Sequence, residues 1–446
     1  MPVLTRRAFA ALPLAAVAAG SARAQTAGQP RTRFVFWHAM TGPLTDEVNR
    51  LCAAFNAAHP TLEVEPVFKG QYPETLTAAI AAWRAGQAPH LVQMFEVGTG
   101  SMLAAGPAVK PVWQLIQETG VEIDPAAYIG AVRGYYSLPD GRLASMPFNS
   151  STAIMYVNQD AFRRAGLDPA SPPATWPALV EAARTLKARG EKPVTTSWFS
   201  WIQLEQFAAL HDLPFATKAN GFEGLDTQLQ INTAPFIGQL QRFLDMQKEG
   251  TFRYAGRDSA PEPLFASGDA SISFMSSGSR AEVSRNAKFA WAPAPLPYDP
   301  ALRATPLNSV IGGASLWTMT APNRTPAEYK AVAEFLRFIA TPRNAADWSE
   351  RTGYVPVTRA GYEQVGKDGY YDKNPGADVA IRQLLRTEPT ANSRGFRLGR
   401  MAELRNIQYE EVERALQGQQ DAKAALDNAV ARGNRVLRDF ERQNKA

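Results

Sequence analysis

The side chains that most often carry out catalysis are few in this sequence and stand far apart. It contains 4 histidines and 1 cysteine. None of the histidines has the spacing of a metal ligand or a companion motif, so all are predicted to be structural or surface residues. They are His38, His59, His90 and His211. No Gly-x-Ser-x-Gly segment with a supported catalytic triad occurs. The sequence therefore favours neither a metalloenzyme nor a serine hydrolase.

The other residues that could react or bind a phosphate have structural explanations. Gly312 and Gly313 are adjacent, but no Lys-Ser or Lys-Thr follows them as in a nucleotide-binding loop. Cys52 lies on an apolar helix face and is predicted to fill the core. That face consists of Val48, Leu51, Cys52 and Phe55. With only this cysteine, no intrachain disulfide can form.

Strands and helices alternate over the first part of the chain. Apolar and β-branched runs predict strands at 33–37, 62–68 and 91–95, with a helix between each pair. Such alternation is typical of a mostly parallel sheet covered by helices, in which ligands bind at the carboxyl ends of strands. Tyr72, in a strand-to-helix loop, and Glu96, directly after a strand, are placed accordingly. In the second helix, Leu76, Ile80 and Trp83 are predicted to line the buried face.

The rest of the chain predicts a second domain that is interleaved with the first. A strand is expected at 153–157, followed by a helix, and another strand at 310–319; beyond Pro342 the chain is predicted to be mainly helical. No internal repeat or long linker separates two halves. The predicted division is 25–146 with 290–342 for an N-terminal lobe and 147–289 with 343–446 for a C-terminal lobe, joined by several crossing segments.

The first 24 residues are predicted to be a signal peptide. Arg6 and Arg7 precede an apolar run, 8–19, that ends in Ala22-Arg23-Ala24, so cleavage is expected after Ala24. The paired arginines are typical of twin-arginine export, and a permanent anchor is the alternative. Removing this segment lowers the formal net charge from +5 to +2, because it holds 3 arginines and no acidic residue. A nearly neutral mature chain disfavours a nucleic-acid partner.

Three segments resemble carbohydrate-type extracellular solute-binding proteins of the maltose-binding-like class. They are Tyr-Val-Asn-Gln-Asp-Ala-Phe at 156–162, Ala-Gly-Leu-Asp-Pro at 165–169 and Pro-Pro-Ala-Thr-Trp at 172–176. This resemblance implies an α/β fold with the two-lobed Venus-flytrap architecture, which closes over a ligand held between its lobes.

A further set of segments is similar to the periplasmic glycerol-3-phosphate-binding proteins of ABC importers, from about Phe34 to Phe440. In order, they are Phe-Lys-Gly-Gln-Tyr (68–72), Glu-Val-Gly-Thr (96–99), Pro-Phe-Asn-Ser-Ser-Thr (147–152), Trp-Ile-Gln-Leu-Glu (201–205), Ser-Ser-Gly-Ser (276–279), Ile-Gly-Gly-Ala-Ser-Leu-Trp (311–317), Thr-Gly-Tyr (352–354) and Leu-Gly-Arg-Met (398–401). The resemblance implies a monomeric periplasmic receptor, not an enzyme, without cofactor or metal. It would deliver sn-glycerol-3-phosphate or a glycerophosphodiester such as glycerophosphocholine to a permease and ATPase.

The resemblance also implies a set of ligand contacts. They are Tyr72, Glu96, Ser151, Trp198, Ser276, Gly313, Tyr354 and Arg405, with Ser277 and Arg400 as alternatives to Ser276 and Arg405. In this set Arg405 would hold phosphate oxygens with its planar fork, aided by hydroxyl and backbone donors. Glu96 would accept two hydroxyl protons of a glycerol, away from the phosphate, beside Tyr72. Trp198 would cover the glycerol carbons.

Two other functions remain open at this point. A sugar or maltooligosaccharide receptor would use several aromatic platforms and several carboxylates. An exported phosphodiesterase or glycosidase is the other alternative, and a glycosidase would need a second carboxylate about 5–10 Å from Glu96.

Overall fold

The structure, a computed structural model, describes residues 31–138 and 140–444, so the predicted signal peptide lies outside the described residues. The strands are β1 Thr32–His38, β2 Leu62–Phe68, β3 Leu91–Phe95, β4 Val109–Lys110, β5 Met146–Ser151, β6 Ala153–Asn158, β7 Val194–Thr196, β8 Ile272–Ser276, β9 Trp291–Ala294 and β10 Gly312–Met319. No helix within the described ranges has the length and apolar character needed to cross a membrane.

Helices cover the strands and fill most of the remaining chain. They are α1 Pro43–Ala58, α2 Tyr72–Arg84, α3 Thr99–Ala104, α4 Val112–Thr119, α5 Gly130–Tyr136, α6 Gln159–Ala165, α7 Trp176–Ala188, α8 Gln206–His211, α9 Thr217–Gly221, α10 Ala234–Glu249, α11 Glu262–Ala266, α12 Arg280–Asn286, α13 Pro326–Ile339, α14 Pro342–Thr352, α15 Arg359–Lys367, α16 Tyr370–Lys373, α17 Val379–Leu384, α18 Met401–Leu416 and α19 Ala422–Asn444. Short 3-10 turns follow β3 at Glu96–Gly98 and β8 at Ser277–Ser279, and a π-helical turn, Ser200–Glu205, leads into α8.

The first sheet has the strand order β2-β1-β3-β10-β4, and β5 also pairs with β10. β1 is parallel to β2 and β3, as the alternating pattern predicts. β10 runs antiparallel to β3, β4 and β5. The predicted core face of α1 is confirmed, because Val48, Leu51, Cys52 and Phe55 are all buried. Burial also raises the pKa of the Cys52 thiol to about 12, as expected of a cysteine that fills the core.

The predicted face of α2 is wrong at two of its three residues. Ile80 and Trp83 are 41% and 36% exposed, whereas Leu76 is partly buried and packs against the core. The fully buried residues of this helix are Thr75 and Ala79, on the side where α2 contacts β3. The same contact brings Tyr72, the first residue of α2, against Phe95 at the end of β3.

The second sheet has the order β7-β8-β6-β9. β6 is antiparallel to both β8 and β9, whereas β7 is parallel to β8. The predicted strand at 153–157 and the helix after it are present as β6 and α6. Asn158 begins that helix as its N-cap, since its side chain accepts a hydrogen bond from the backbone of Ala161 at 3.0 Å.

The chain passes from the first sheet to the second at Thr152 and returns within 295–311. A third passage lies between α14, which packs on α1, and α18, which packs on α10. The first two passages are joined, because Thr152 Oγ1 donates to the carbonyl oxygen of Val310 at 2.8 Å. Sheet membership differs from the predicted division at two points. β9 belongs to the second sheet, although 290–342 was assigned to the N-terminal lobe, and β5 belongs to the first sheet.

Candidate functional site

A cavity of about 350 Å³ lies where the two sheets face each other. All eight residues of the predicted ligand set line it: Tyr72, Glu96, Ser151, Trp198, Ser276, Gly313, Tyr354 and Arg405. The sheets contribute from both sides. Tyr72 and Glu96 follow strands of the first sheet, whereas Ser276 ends β8 of the second sheet and Arg405 projects from α18. Segments that are more than 300 positions apart in the chain thus converge on one space.

Arg405 and two glutamates form a buried cluster at one end of this cavity. Arg405 donates through Nε and Nη2 to the two carboxylate oxygens of Glu205, both at 2.7 Å. The same Nη2 donates to Glu96 Oε1 at 2.7 Å. The three side chains are only 4%, 1% and 5% exposed for Arg405, Glu205 and Glu96. Nη1 takes part in none of these bonds, so it is the part of the guanidinium that remains for a ligand.

The cluster corrects the predicted role of Arg405. Its bidentate fork holds Glu205 and not a phosphate, and Glu96 lies beside it instead of apart from it. Burial alone would lower the pKa of Arg405, but Glu205 and Glu96 outweigh burial and hold it above its ordinary value. Burial raises the pKa of both carboxyls, and Arg405 offsets only part of that effect. One cation shared by two carboxylates leaves little positive charge for an anion.

Neutral donors form another wall of the cavity. Ser151 ends β5, Ser276 ends β8, and Tyr354 follows α14. Ser276 Oγ accepts a hydrogen bond from the backbone of Gly278 at 3.1 Å, which leaves its own proton available for a ligand. Burial raises the pKa of the Tyr354 hydroxyl to about 12, so it stays protonated and can donate.

The predicted alternatives occupy different positions. Ser276 lines the cavity and Ser277 does not. Arg405 also lines it, whereas Arg400 pairs with Glu403 at 3.7 Å and donates to Gln443, away from the cavity. Ser276 and Arg405 therefore remain the predicted contacts.

Two adjacent glycines shape the floor of the site. Gly313 has φ +85°, and a Cβ there would lie 1.9 Å from the carbonyl oxygen of Asn149. The neighbouring strand β5 therefore requires this glycine, in addition to any approach by a ligand. At Gly312, a Cβ would lie 2.3 Å from Cζ2 of Trp201. The missing side chain of Gly312 thus makes room for the indole of Trp201 at the cavity.

Aromatic rings line the cavity on both sides. Tyr72 stacks on Phe95 with ring centroids 5.3 Å apart, and its hydroxyl accepts a hydrogen bond from Asn149 Nδ2 at 2.8 Å. Trp198 has a left-handed backbone with φ +45°, a strained conformation of the kind that clusters at functional sites. Trp201 is 4% exposed, and its Nε1–H has no hydrogen-bond partner in the described protein.

Four functional candidates were missed by the sequence reasoning: Trp201, Glu205, Glu262 and Glu282. Trp201 and Glu205 belong to a segment, 201–205, that carries the resemblance, so a signal for them existed. Glu262, the first residue of α11, and Glu282, on α12, lie in segments without such a signal, and both line the cavity.

Glu262 is held by hydrogen-bond donors that follow β7 and β8 of the second sheet. Its carboxylate accepts from Ser279 Oγ at 2.7 Å and from Trp198 Nε1 at 3.3 Å. Burial raises the pKa of Glu262 to about 7, despite these bonds, and the charge of Glu282 contributes to the increase. The carboxyl therefore titrates in the neutral range.

A second carboxylate does lie beside Glu96, as a glycosidase would require, but its arrangement does not fit that chemistry. Glu205 and Glu96 both accept hydrogen bonds from the same guanidinium. Glu205 lies behind Arg405 and is not among the residues that line the cavity. Among residues 31–138 and 140–444, no group of His, Cys, Asp and Glu side chains has the arrangement of a metal site.

The family model of the bacterial extracellular solute-binding proteins matches residues 41–346. The chain belongs to this family. It is 43% identical over 443 residues to the sn-glycerol-3-phosphate-binding periplasmic protein UgpB of Pectobacterium atrosepticum, covering 99% of both chains. It is 44% identical over 417 residues to the UgpB protein of Salmonella typhimurium, covering 93% of this chain and 94% of the relative. The predicted resemblance is thus confirmed.

Solved structures confirm the predicted two-lobed α/β fold of this solute-binding protein. UgpB from Mycobacterium tuberculosis in complex with glycerophosphocholine is similar with a TM-score of 0.77, at 23% identity over 92% of this chain and 99% of that one. Maltose-bound MalE3 of T. maritima is similar with a TM-score of 0.70, at 15% identity over 91% of this chain and 99% of that one.

Proposed function

We propose that this protein is the periplasmic substrate-binding protein of an ABC importer and captures sn-glycerol-3-phosphate or a glycerophosphodiester such as glycerophosphocholine. The single observation that carries the proposal is the convergence of all eight predicted ligand residues on one cavity between the lobes. The names of relatives with 43–44% identity over nearly the whole chain support the same ligand class.

The charges of the site support one orientation of such a ligand. The glycerol hydroxyls would bind at the buried cluster, where Glu96 accepts hydrogen bonds and Arg405 Nη1 donates them. The phosphate would bind at the neutral wall, where the hydrogen-bond donors are uncharged hydroxyl groups and backbone N–H groups. Its donors would be Ser151, Ser276, Tyr354 and the backbone of Gly313. Tyr72 and Trp198 would flank the carbon chain.

Three polar contacts across the cleft support capture by lobe closure. Besides Glu96 and Arg405, Ser259 Oγ donates to Gln71 Oε1 at 3.2 Å, and Arg285 lies 3.7 Å from Asp46. We propose one lobe of 31–151 with 312–352 and another of 153–294 with 401–444. Opening would separate these three pairs and admit the ligand.

The remaining parts of the proposal concern partners. The protein would act as a monomer that passes its ligand to a separate permease and ATPase, without catalysis, cofactor or nucleic acid. The nearly neutral charge of the predicted mature chain supports the last point.

A sugar receptor is the second candidate, because one observation favours it. Aromatic rings and carboxylates both line the cavity, as in receptors for oligosaccharides. They are Tyr72, Trp198, Trp201, Tyr354, Glu96, Glu262 and Glu282. The similarity to maltose-bound MalE3 is a likeness of fold at 15% identity and does not decide the ligand.

Titration calorimetry of the chain from residue 25 onward separates the two candidates. The ligands are glycerol-3-phosphate, glycerophosphocholine and maltose. We expect heat from at least one glycerophosphate and none from maltose. A maltose isotherm without a signal from either glycerophosphate would overturn the assignment. Small-angle scattering with and without saturating ligand tests closure, and unchanged dimensions would contradict it.

A further inference from the structure

Two acidic side chains of the cavity wall, Glu262 and Glu282, have no cationic partner. Both line the cavity from the second lobe. Within the described parts of the chain, neither forms an ion pair with a lysine or arginine. The charge of Glu282 also contributes to the raised pKa of Glu262.

This acidity is unexpected in a site for a phosphate monoester. Arg405 is the only lysine or arginine among the cavity-lining residues, and two glutamates already share it. With Glu262 and Glu282 added, the cavity has more carboxylates than cations. These charges disfavour a dianionic phosphate relative to a zwitterion whose cation lies beside Glu262 and Glu282.

We propose that Glu262, Glu282 and Trp198 form a subsite for the cationic headgroup of a zwitterionic glycerophosphodiester, which makes the protein select such diesters over glycerol-3-phosphate. This inference rests on the proposed function and names the substrate class within it.

The position of the subsite suits a headgroup that is esterified to the phosphate. Ser279, which donates to Glu262 at 2.7 Å, lies in the same turn as Ser276, a proposed phosphate donor. The headgroup would therefore bind next to the phosphate, beside the turn that carries Ser276 and Ser279.

Trp198 supplies the apolar wall that an ammonium group requires. Tryptophan is the aromatic side chain that binds cations best through its ring face. The Trp198 Nε1–H donates to Glu262 at 3.3 Å, so one hydrogen bond orients both the indole and the carboxylate. A second ligand-directed feature is the unpartnered Nε1–H of buried Trp201, which lines the same cavity.

The titration of Glu262 gives the subsite a measurable signature. Near pH 7 this carboxyl is only partly ionised, because burial raises its pKa to about 7. Ser279 and Trp198 donate to it, Ser197 also lowers its pKa, and Glu282 is the charged group that faces it. A bound cation favours the ionised form, so binding of glycerophosphocholine would release protons at pH 7, whereas a diester with an uncharged headgroup would release fewer.

The test measures three ligands on the chain from residue 25 onward: glycerophosphocholine, glycerophosphoglycerol and glycerol-3-phosphate. For the unaltered protein, we expect glycerophosphocholine to bind most tightly. Glu282→Gln should weaken the binding of glycerophosphocholine about 5–20-fold, as for the loss of one partner of a charge pair. It should change the binding of glycerophosphoglycerol, whose headgroup is uncharged, less than about 3-fold. Glu262→Gln should abolish the proton release, seen as identical calorimetric enthalpies in buffers of different ionisation enthalpy.

Glu122→Gln is the matched control, because Glu122 is exposed and outside the cavity. Among the described residues the Glu282 side chain has no hydrogen-bond or ion-pair partner, so its variant keeps the result interpretable if Glu262→Gln folds poorly. Equal weakening of all three ligands, or no change for glycerophosphocholine in Glu282→Gln, would overturn the subsite alone. Absence of binding of any glycerophosphate to the unaltered protein would overturn the proposed function itself.

Discussion

Glu96 Oε1 and Arg405 Nη2 meet at 2.7 Å, and they belong to different lobes of the proposed division. Glu96 follows β3 of the first sheet, while Arg405 is anchored in the second lobe by its two bonds to Glu205. The pair therefore couples the arrangement of the lobes to the chemistry of the cavity. A glycerol hydroxyl that binds Glu96 also lies next to the guanidinium.

The cluster predicts a large structural cost for loss of the arginine. We expect Arg405→Ala to lower the free energy of unfolding by about 3–5 kcal/mol, because Glu205 would stay buried without its partner. Urea denaturation followed by circular dichroism measures the change. Arg400→Ala is the control, with an expected effect below about 1 kcal/mol, since Arg400 forms only surface pairs. Equal losses in both variants would contradict the role of the cluster.

Glu262 predicts a defined pH dependence of stability. Its ordinary pKa of 4.5 rises to about 7 in the folded protein. Between these values the folded state keeps a proton that the unfolded chain releases, so the stability contributed by this group falls as pH increases from 4.5 to 7. Glu262→Gln should remove this fall and be more stable than the unaltered protein at pH 8, by on the order of 2 kcal/mol.

Thermal melts at pH 4.5 and pH 8 check this expectation. The glutamine can still accept from Trp198, and Ser279 can accept from its amide, so packing should be retained. If the melting temperatures of the unaltered protein and Glu262→Gln changed equally between pH 4.5 and pH 8, the raised pKa of Glu262 would be contradicted.

Substitution of Trp201 should weaken ligand binding without lowering the stability of the fold. Trp201→Phe removes an Nε1–H that has no partner in the described protein, so the fold loses no hydrogen bond. If this group donates to the ligand, affinity should fall about 5-fold, the equivalent of one neutral hydrogen bond. Calorimetric titration measures the loss. Trp176→Phe is the matched control, because its Nε1–H is also buried and unpartnered but lies outside the cavity.

Gly313 predicts a strong effect on folding. An added Cβ would collide with the carbonyl oxygen of Asn149 in β5 and would require a left-handed backbone, so Gly313→Ala should destabilise the protein by more than about 1 kcal/mol. Gly134→Ala in α5 meets open space and should be neutral or stabilising. A lower melting temperature only for Gly134→Ala would refute the steric argument.

The extent to which the sequence predicted the structure differs between elements and contacts. The strand at 62–68 was predicted with its final bounds because its apolar run ends in clear turn residues. The face of α2 was wrong, because Ile80 and Trp83 are more apolar than Thr75 and Ala79, and hydrophobicity does not show where a helix must pack closely. The side of α2 that contacts β3 instead buries the smaller residues Thr75 and Ala79.

The same contrast holds for the candidate site. The position of Arg405 followed from resemblance, but its partner Glu205 lies 200 positions away and no local pattern links the two. Pairing between distant charges depends on the tertiary fold. The presence of Glu262 and Glu282 in the cavity wall was not predicted for the same reason.

The interleaved path of the chain has a consequence for how the protein can be divided. Each lobe is assembled from separate stretches, and Thr152 is bonded to Val310 where two of the passages meet. No single cut in the gene would release one lobe as an intact fragment. A split reporter or a domain fusion built on this scaffold must therefore respect all three passages, and surface loops away from them are the suitable insertion points.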